Sequence, residues 1–159
     1  MMNLQKNWAL IILLLSIIAI LSALIAQYIY FIQPCKLCIY QRYPYYFLIL
    51  ISCFFLLLKE QNNKIYFLII EVIFAIGLFF SIWHVAIENN LISDIIGCSA
   101  SIENIDNVSE LKKSIINKPL VMCNDINWSF LGISFAIYNS LLQFGLLIIN
   151  SIFLVKKKI

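Results

Sequence analysis

The chain has 159 residues, of which 63% are hydrophobic and only 12% are charged. A soluble domain of this size has too small a core to hide so much apolar surface, so the composition excludes an ordinary soluble protein. The net charge of +3 is small and dispersed, which argues against nucleic acid as a partner.

Four apolar stretches approach or exceed the roughly 20 residues that a helix needs to cross a bilayer. In chain order they run over about 8–32, 38–58, 65–87 and 130–155. We therefore expect an all-α membrane protein, a four-transmembrane-helix antiparallel bundle that forms one integral membrane domain over residues 1–159. Lys6 precedes the first stretch as in a signal peptide, but this apolar run is longer than the roughly 7–15 residues of such a peptide, which favours a retained helix.

Prolines set the boundary between the first two stretches. Pro34 is expected to end the first helix and open the next, because proline suits the first position of a helix. Pro44 would kink or restart the second helix. A second span that began only there would have about 15 residues and would be too short for a bilayer. We therefore place its start near Cys38, with the preceding Cys35 at the membrane surface.

The charges predict the orientation. Lysines flank one side of the expected bundle, at Lys6, Lys59, Lys64 and in the run 156–158. The positive-inside rule then favours both termini in the cytoplasm and an extracytoplasmic loop over about 88–129. Four of the five cysteines face the compartment where disulfides persist. Within the loop, Val108, Leu111 and Ile115 recur at helical spacing, and both an amphipathic helix on the membrane and a polar loop with a chance pattern are open.

Cys35 and Cys38 form a Cys-x-x-Cys pair, and Arg42 follows Cys38 by one helical turn. A nearby cation and the first turn of a helix both favour the thiolate that performs disulfide exchange. Such a pair also serves zinc, but zinc needs about four ligands and the chain has one histidine, distant from the pair in sequence. We therefore expect a redox-active pair and no metal site.

The other cysteines divide into two groups. Cys98 and Cys123 enclose 24 residues in the polar loop. They form either a structural staple of that loop or a second redox pair that exchanges with the first. Cys53 lies in the middle of the second stretch, where we expect a small apolar packing residue.

Three ionisable residues lie within or beside the third stretch. His84 is near its outer end, with Glu88 one turn beyond. An ordinary interfacial histidine and a hydrogen-bond or proton donor to a bound redox partner are both open. Glu71 lies about two turns inside the cytoplasmic end, and we expect it to extend toward Lys64.

Taken together, three motifs resemble the DsbB family of bacterial disulfide-forming membrane proteins. The segment 34–44, Pro-Cys-x-x-Cys-Ile-Tyr-Gln-Arg-Tyr-Pro, resembles that family's most diagnostic motif. Trp83-His84 with Glu88 resembles its third-helix signature, and the segment 128–136 with Asn139 resembles the entry to its fourth helix. Gln41 departs from relatives that carry an acid at this position, and the segment between the loop cysteines shows no motif for partner docking.

The resemblance implies a thiol:quinone oxidoreductase of the bacterial inner membrane, with its active cysteines on the periplasmic side. A DsbA-like thioredoxin-fold oxidase would form a mixed disulfide at Cys98. Electrons would pass to the Cys35–Cys38 pair, with a transient bond between Cys35 and Cys123 as one route. Cys38 would then contact ubiquinone or menaquinone from the membrane pool, near Arg42, and His84 would belong to the same quinone site.

Two other classes compete with this interpretation. A vitamin K epoxide reductase-like protein also combines four helices, two cysteine pairs and a quinone-like ligand, but its Cys-x-x-Cys is expected late in the chain. A tetraspanin-like membrane scaffold, which is not an enzyme, would have a disulfide-stapled loop between its third and fourth helices. Such a scaffold would not need a Cys-x-x-Cys beside an arginine.

Overall fold

Helices account for most of the residues that the structure describes. In the computed structural model these are residues 5, 7–60, 62–92, 123 and 129–156. The helices are α1 (Trp8–Tyr28), α2 (Lys36–Tyr40), α3 (Arg42–Leu57), α4 (Lys64–Glu88) and α5 (Phe135–Lys156). An antiparallel hairpin of two short strands, β1 (Ser129–Phe130) and β2 (Ile133–Ser134), precedes α5.

The expected multi-pass membrane protein is confirmed in its coarse features. Within the described ranges, α1, α4 and α5 are each long and apolar enough to cross a membrane. Helix α3 has 16 residues, or about 24 Å at the usual rise of an α-helix. A fourth crossing through α3 and the cytoplasmic position of both termini therefore stay predictions. Cys98 and the residues of the expected amphipathic helix at 108–115 lie outside the described residues.

The second apolar stretch consists of two helices, where we expected one span from near Cys38 with a kink or restart at Pro44. It is divided at Gln41, between α2 and α3. Pro44 explains the break, because its ring nitrogen cannot donate to the carbonyl of Tyr40 and its ring would clash with that carbonyl in a continuous helix. At the start of α3, by contrast, proline costs little, because the first N–H groups of a helix have no partner within it.

Two other expected boundaries also differ. Helix α1 ends at Tyr28 rather than near residue 32, because Phe31 adopts a left-handed conformation with φ of 55° and the N–H of Ile32 turns back to the carbonyl of Ala26. The last helix begins at Phe135 rather than near residue 130, because the hairpin occupies residues 129–134. Its turn has positive φ at both Leu131 and Gly132, which is the geometry that two-residue hairpin loops favour.

The turn between α3 and α4 makes these helices antiparallel neighbours. Lys59 adopts a left-handed conformation with φ of 56°, and the N–H of Glu60 donates to the carbonyl of Phe55. This pattern satisfies carbonyls at the end of α3 and reverses the chain within a few residues. Contacts then run from α1 to α3, from α3 to α4 and from α4 to α5.

A buried polar cluster joins three helices at the end of the bundle remote from Cys35. The indole Nε1 of Trp8 donates to Asn150 Oδ1 at 3.0 Å, and Asn150 Nδ2 donates to Glu71 Oε2 at 2.6 Å. The hydroxyl of Ser151 donates to the other carboxylate oxygen. Glu71, which we expected to extend toward Lys64, is therefore bound to α5, because that helix supplies two hydrogen-bond donors within the bundle.

Cys53 also differs from its expected role. We expected it to pack among apolar side chains, but it is exposed on the outside of α3. The preceding residue, Ser52, is the one that faces the core, where its hydroxyl contacts the phenol of Tyr66 at 3.1 Å. Successive side chains on a helix point about 100° apart, so Cys53 is turned toward the surface that lipid covers.

Candidate redox site

The Cys-x-x-Cys pair is held by the first turn of α2. Cys35 is the residue that precedes this helix, in an extended conformation, and its sulfur accepts the backbone N–H of Cys38 at 3.3 Å. The Sγ atoms of the two cysteines are 2.9 Å apart. Cys35 is buried, whereas Cys38 is only partly buried. The pair is thus close enough to interconvert between dithiol and disulfide with little movement of the chain.

A third sulfur lies beside this pair. The Sγ atoms of Cys35 and Cys123 and a ring nitrogen of His84 all lie within 4.8 Å of one another, and each of the three residues is buried. Leu37 and Ile87 pack around the cysteines. The fold therefore brings Cys123 to the first pair across 84 intervening residues, a proximity that the sequence indicated only through the family resemblance.

The same three residues bear on metal binding. Thiolates and imidazole are the ligands that zinc prefers in proteins. Our expectation of no metal site rested on the separation of the histidine from the cysteines in sequence, and the folded chain removes that argument. Among the described residues, these three donors are one fewer than a closed structural zinc site has.

The two cysteines of the pair differ in acidity. Hydrogen bonding to Cys123 and then to Cys38, together with burial, raises the pKa of the Cys35 thiol above its ordinary value. The hydrogen bond from Cys35 lowers the pKa of Cys38, although burial opposes this effect. In the reduced pair the proton therefore stays on Cys35 and the negative charge on Cys38, which is the sulfur with more access to the surroundings.

His84 is held on both sides of its ring. Gln41 Nε2 lies 3.1 Å from the Nδ1 atom. The Nε2 atom lies 3.5 Å from the sulfur of Cys35 and 3.7 Å from a carboxylate oxygen of Glu88. Ser134, on strand β2, donates to the other oxygen of that carboxylate at 2.5 Å. His84 therefore contacts the sulfur of Cys35, and its role as a hydrogen-bond or proton donor stays a prediction.

Arg42 is positioned by a residue that the sequence did not single out. Its Nη1 donates to Gln27 Oε1 at 2.7 Å, and Gln27 lies in the last turn of α1. Arg42 carries a permanent positive charge and is half-buried. A glutamine near the end of an apolar helix was the only sequence signal for this contact.

An apolar cavity of about 410 Å³ connects these groups. Apolar residues of α1 and α5 form a large part of its wall, and its polar lining includes Cys35, Cys38, Gln41, Arg42, His84, Glu88 and Asn139. Ile18, which is 60% exposed, and Leu142, which is 38% exposed, also line it, so the cavity reaches the outer surface of the bundle. Its volume lies within the roughly 300–1,000 Å³ that is typical of small-molecule sites.

Comparison with known proteins identifies the family. The family model for disulfide bond formation protein DsbB matches residues 5–153. An uncharacterised protein of Rickettsia prowazekii (strain Madrid E) is 34% identical over 141 residues, which cover 87% of this chain and 81% of the Rickettsia protein. A search of the solved structures finds none that matches. The chain therefore belongs to the DsbB family of disulfide bond formation membrane proteins.

Proposed function

We propose that the protein is a thiol:quinone oxidoreductase that reoxidises a DsbA-like thioredoxin-fold partner in the periplasm and passes the electrons to a membrane quinone. One observation carries the proposal. The Cys35–Cys38 pair, which has the sulfur of Cys123 beside it, and the cation of Arg42 line one apolar cavity that reaches the outer surface of the bundle. A scaffold with a stapled loop would need neither the cavity nor the cation.

Electrons would enter at the loop cysteines. With both pairs oxidised, a partner thiolate attacks Cys98, forms a mixed disulfide and releases Cys123 as a thiolate. Cys123 then attacks Cys35, which breaks the Cys35–Cys38 bond and releases the thiolate of Cys38. The second partner thiol resolves the mixed disulfide, so the partner leaves oxidised and Cys98 becomes a thiolate. The contact between Cys123 and Cys35 supports the second of these exchanges.

The remaining exchange steps return the loop pair to its oxidised state and leave both electrons on the first pair. Cys98 attacks Cys123 in the Cys35–Cys123 bond, restores the loop disulfide and releases Cys35. The dithiol at Cys35 and Cys38 then holds the two electrons and two protons taken from the partner. Its reoxidation to a disulfide completes the cycle.

The residues around the cavity fit a quinone. The group, as ubiquinone or menaquinone, would accept two electrons and two protons when bound. Cys38 contributes a thiolate to the cavity wall, and Arg42 places a positive charge where it would stabilise negative charge on a quinone oxygen. The apolar residues of α1 and α5 exclude water from the reacting groups.

The position of the sulfur cluster along the bundle bears on the side of the membrane that it faces. Cys35 and His84 lie at one end of the bundle, opposite the cluster of Trp8, Glu71 and Asn150. With both termini in the cytoplasm, the sulfur cluster lies at the periplasmic face of the bacterial inner membrane. A membrane-embedded quinone could then reach the cavity from the lipid side.

The test is quinone-dependent turnover by the purified protein in detergent, with a reduced thioredoxin-fold oxidase and a soluble quinone analogue. We expect two partner thiols to be lost for each quinone molecule that is reduced. Cys38→Ser should abolish quinone reduction, and Cys98→Ala should block electron entry from the partner. Cys53→Ala is the matched control, because this exposed cysteine lies away from the cavity. Persistent oxidation of the loop pair without turnover or a partner adduct would instead indicate a stapled scaffold.

A further inference from the structure

A chain of side-chain amides and hydroxyls leads from α5 to the ring of His84. It runs through Asn139 on α5 and Gln41, the residue between α2 and α3. Neither residue has a role in the electron relay proposed above. Each has an amide group with one end that donates and one end that accepts, so the chain has a direction that the surrounding groups determine.

Two main-chain carbonyls determine the direction at Asn139 and Gln41. The hydroxyl of Ser81 donates its proton to the carbonyl of Ala136 at 3.3 Å. The hydroxyl oxygen is then free to accept a hydrogen bond from Nδ2 of Asn139 at 2.9 Å. Gln41 Nε2 lies 3.4 Å from the carbonyl of Phe80, which can only accept. In both amides, the atom that faces these acceptors is therefore the nitrogen, because only the nitrogen can donate a hydrogen bond.

The remaining contacts agree with this direction. Tyr45 donates its phenol proton to Asn139 Oδ1 at 2.5 Å. Asn139 Nδ2 donates to Gln41 Oε1 at 3.2 Å. The oxygen of Gln41 is thus turned toward α5, which leaves its Nε2 to donate to Nδ1 of His84 at 3.1 Å.

The other nitrogen of the ring faces acceptors. Nε2 lies 3.5 Å from the sulfur of Cys35 and 3.7 Å from a carboxylate oxygen of Glu88. A neutral imidazole carries one proton, and the nitrogen that accepts a hydrogen bond is the one without it. With a donor at Nδ1 and acceptors at Nε2, both sides of the ring favour the same tautomer.

We propose that Gln41 and Asn139 are positioning residues that hold neutral His84 in its Nε2–H tautomer, so that the ring donates a hydrogen bond to the sulfur of Cys35. In the exchange between Cys123 and the Cys35–Cys38 disulfide, negative charge spreads over the sulfurs of this cluster. A donor at Nε2 stabilises that charge, whereas a lone pair there would repel it. The kinetic consequence rests on the proposed function, but the tautomer does not.

The amide N–H of Gln41 can be removed by a specific substitution, which tests this proposal. A carboxylate there has no N–H to offer, so it would accept from Nδ1 and drive the ring proton to that nitrogen. Gln41→Glu should therefore invert the tautomer. Asn139→Asp should also invert the tautomer, although position 139 does not contact the ring. An aspartate cannot donate to the oxygen of Gln41 and would instead accept from its amide nitrogen. The oxygen of Gln41 would then face Nδ1 of His84 and accept a hydrogen bond from the ring proton there.

The chain contains a single histidine, so histidine labelled with ¹⁵N reports on His84 alone. We would record its ring nitrogens by NMR in detergent, with Nδ1 and Nε2 distinguished by their couplings to the ring protons. The wild type should show a protonated Nε2 and an unprotonated Nδ1, and both carboxylate variants should show the reverse. Asn89→Ala is the control, because the exposed side chain of this residue bonds only to the carbonyl of Val85 among the described contacts.

Either of two NMR results would overturn the proposal: a protonated Nδ1 in the wild type, or a wild-type pattern in both variants. The kinetic readout is the rate of partner oxidation in a single turnover, which should fall by about tenfold in the carboxylate variants if one hydrogen bond to a charged sulfur is lost. An inverted tautomer with an unchanged rate would refute the role of the ring proton. Absence of turnover in the wild type would count against the proposed function and leave the NMR result standing.

Discussion

Gly77 offers the sharpest test of how closely α4 and α5 approach. A Cβ atom at this position would lie 3.0 Å from both Cδ and Nε2 of Gln143. Gln143 is fully buried on α5, so its side chain has no solvent-filled space into which to move. Gly145, on the same helix as Gln143, is the matched control, because a Cβ there would meet nothing within 4 Å.

The expected magnitude follows from the comparison of the two alanine variants. Each replaces a glycine inside a helix, which favours the folded state by about 1 kcal/mol through helix propensity alone. That contribution is common to both variants and cancels between them. Gly77→Ala also overpacks the contact with Gln143, which typically costs about 1–3 kcal/mol. The free energy of unfolding of Gly77→Ala should therefore be lower than that of Gly145→Ala by about 1–3 kcal/mol.

The assay is reversible unfolding in mixed micelles, followed by the loss of helical circular dichroism as the denaturing detergent increases. Gln143 lies one turn after Asn139 on α5, so a displaced α5 would also carry Asn139 away from Gln41. Turnover of Gly77→Ala should therefore fall together with its stability. A Gly77→Ala protein as stable as Gly145→Ala would refute the close approach of the two helices.

Two further predictions concern the redox groups themselves. Arg42→Ala should weaken quinone reduction more than partner oxidation in a single turnover, because the cation lines the cavity, and equal loss of both would assign Arg42 to structure. In the fully reduced protein, a short pulse of alkylating agent should label Cys38 before Cys35, because the pKa of Cys38 is lowered and that of Cys35 is raised. Labelling of Cys38 should persist to lower pH, and peptide mass mapping that found equal labelling would contradict the assignment of the proton to Cys35.

Local chemistry explains why much of this protein could be predicted from its sequence. Apolar runs of membrane-spanning length predict helices, because an unpaired backbone group in lipid is too costly. The Cys-x-x-Cys pair and Arg42 lie within a few residues of one another, so their proximity needs no knowledge of the tertiary fold. The kink or restart expected at Pro44 lies at Gln41 instead, because the proline affects the carbonyl four residues earlier.

The membrane-helical class, the Cys-x-x-Cys pair and the motifs that the family shares could be read from the sequence, since each depends on composition or on residues close together in the chain. Which distant groups meet depends on the folded chain. The contacts of Cys123 with Cys35, of Gln27 with Arg42, and of Gln41 with both Asn139 and His84 all depend on how distant segments pack. A side chain's partner across a helix interface is set by the rotation and separation of both helices, and these arise from the packing of the whole bundle.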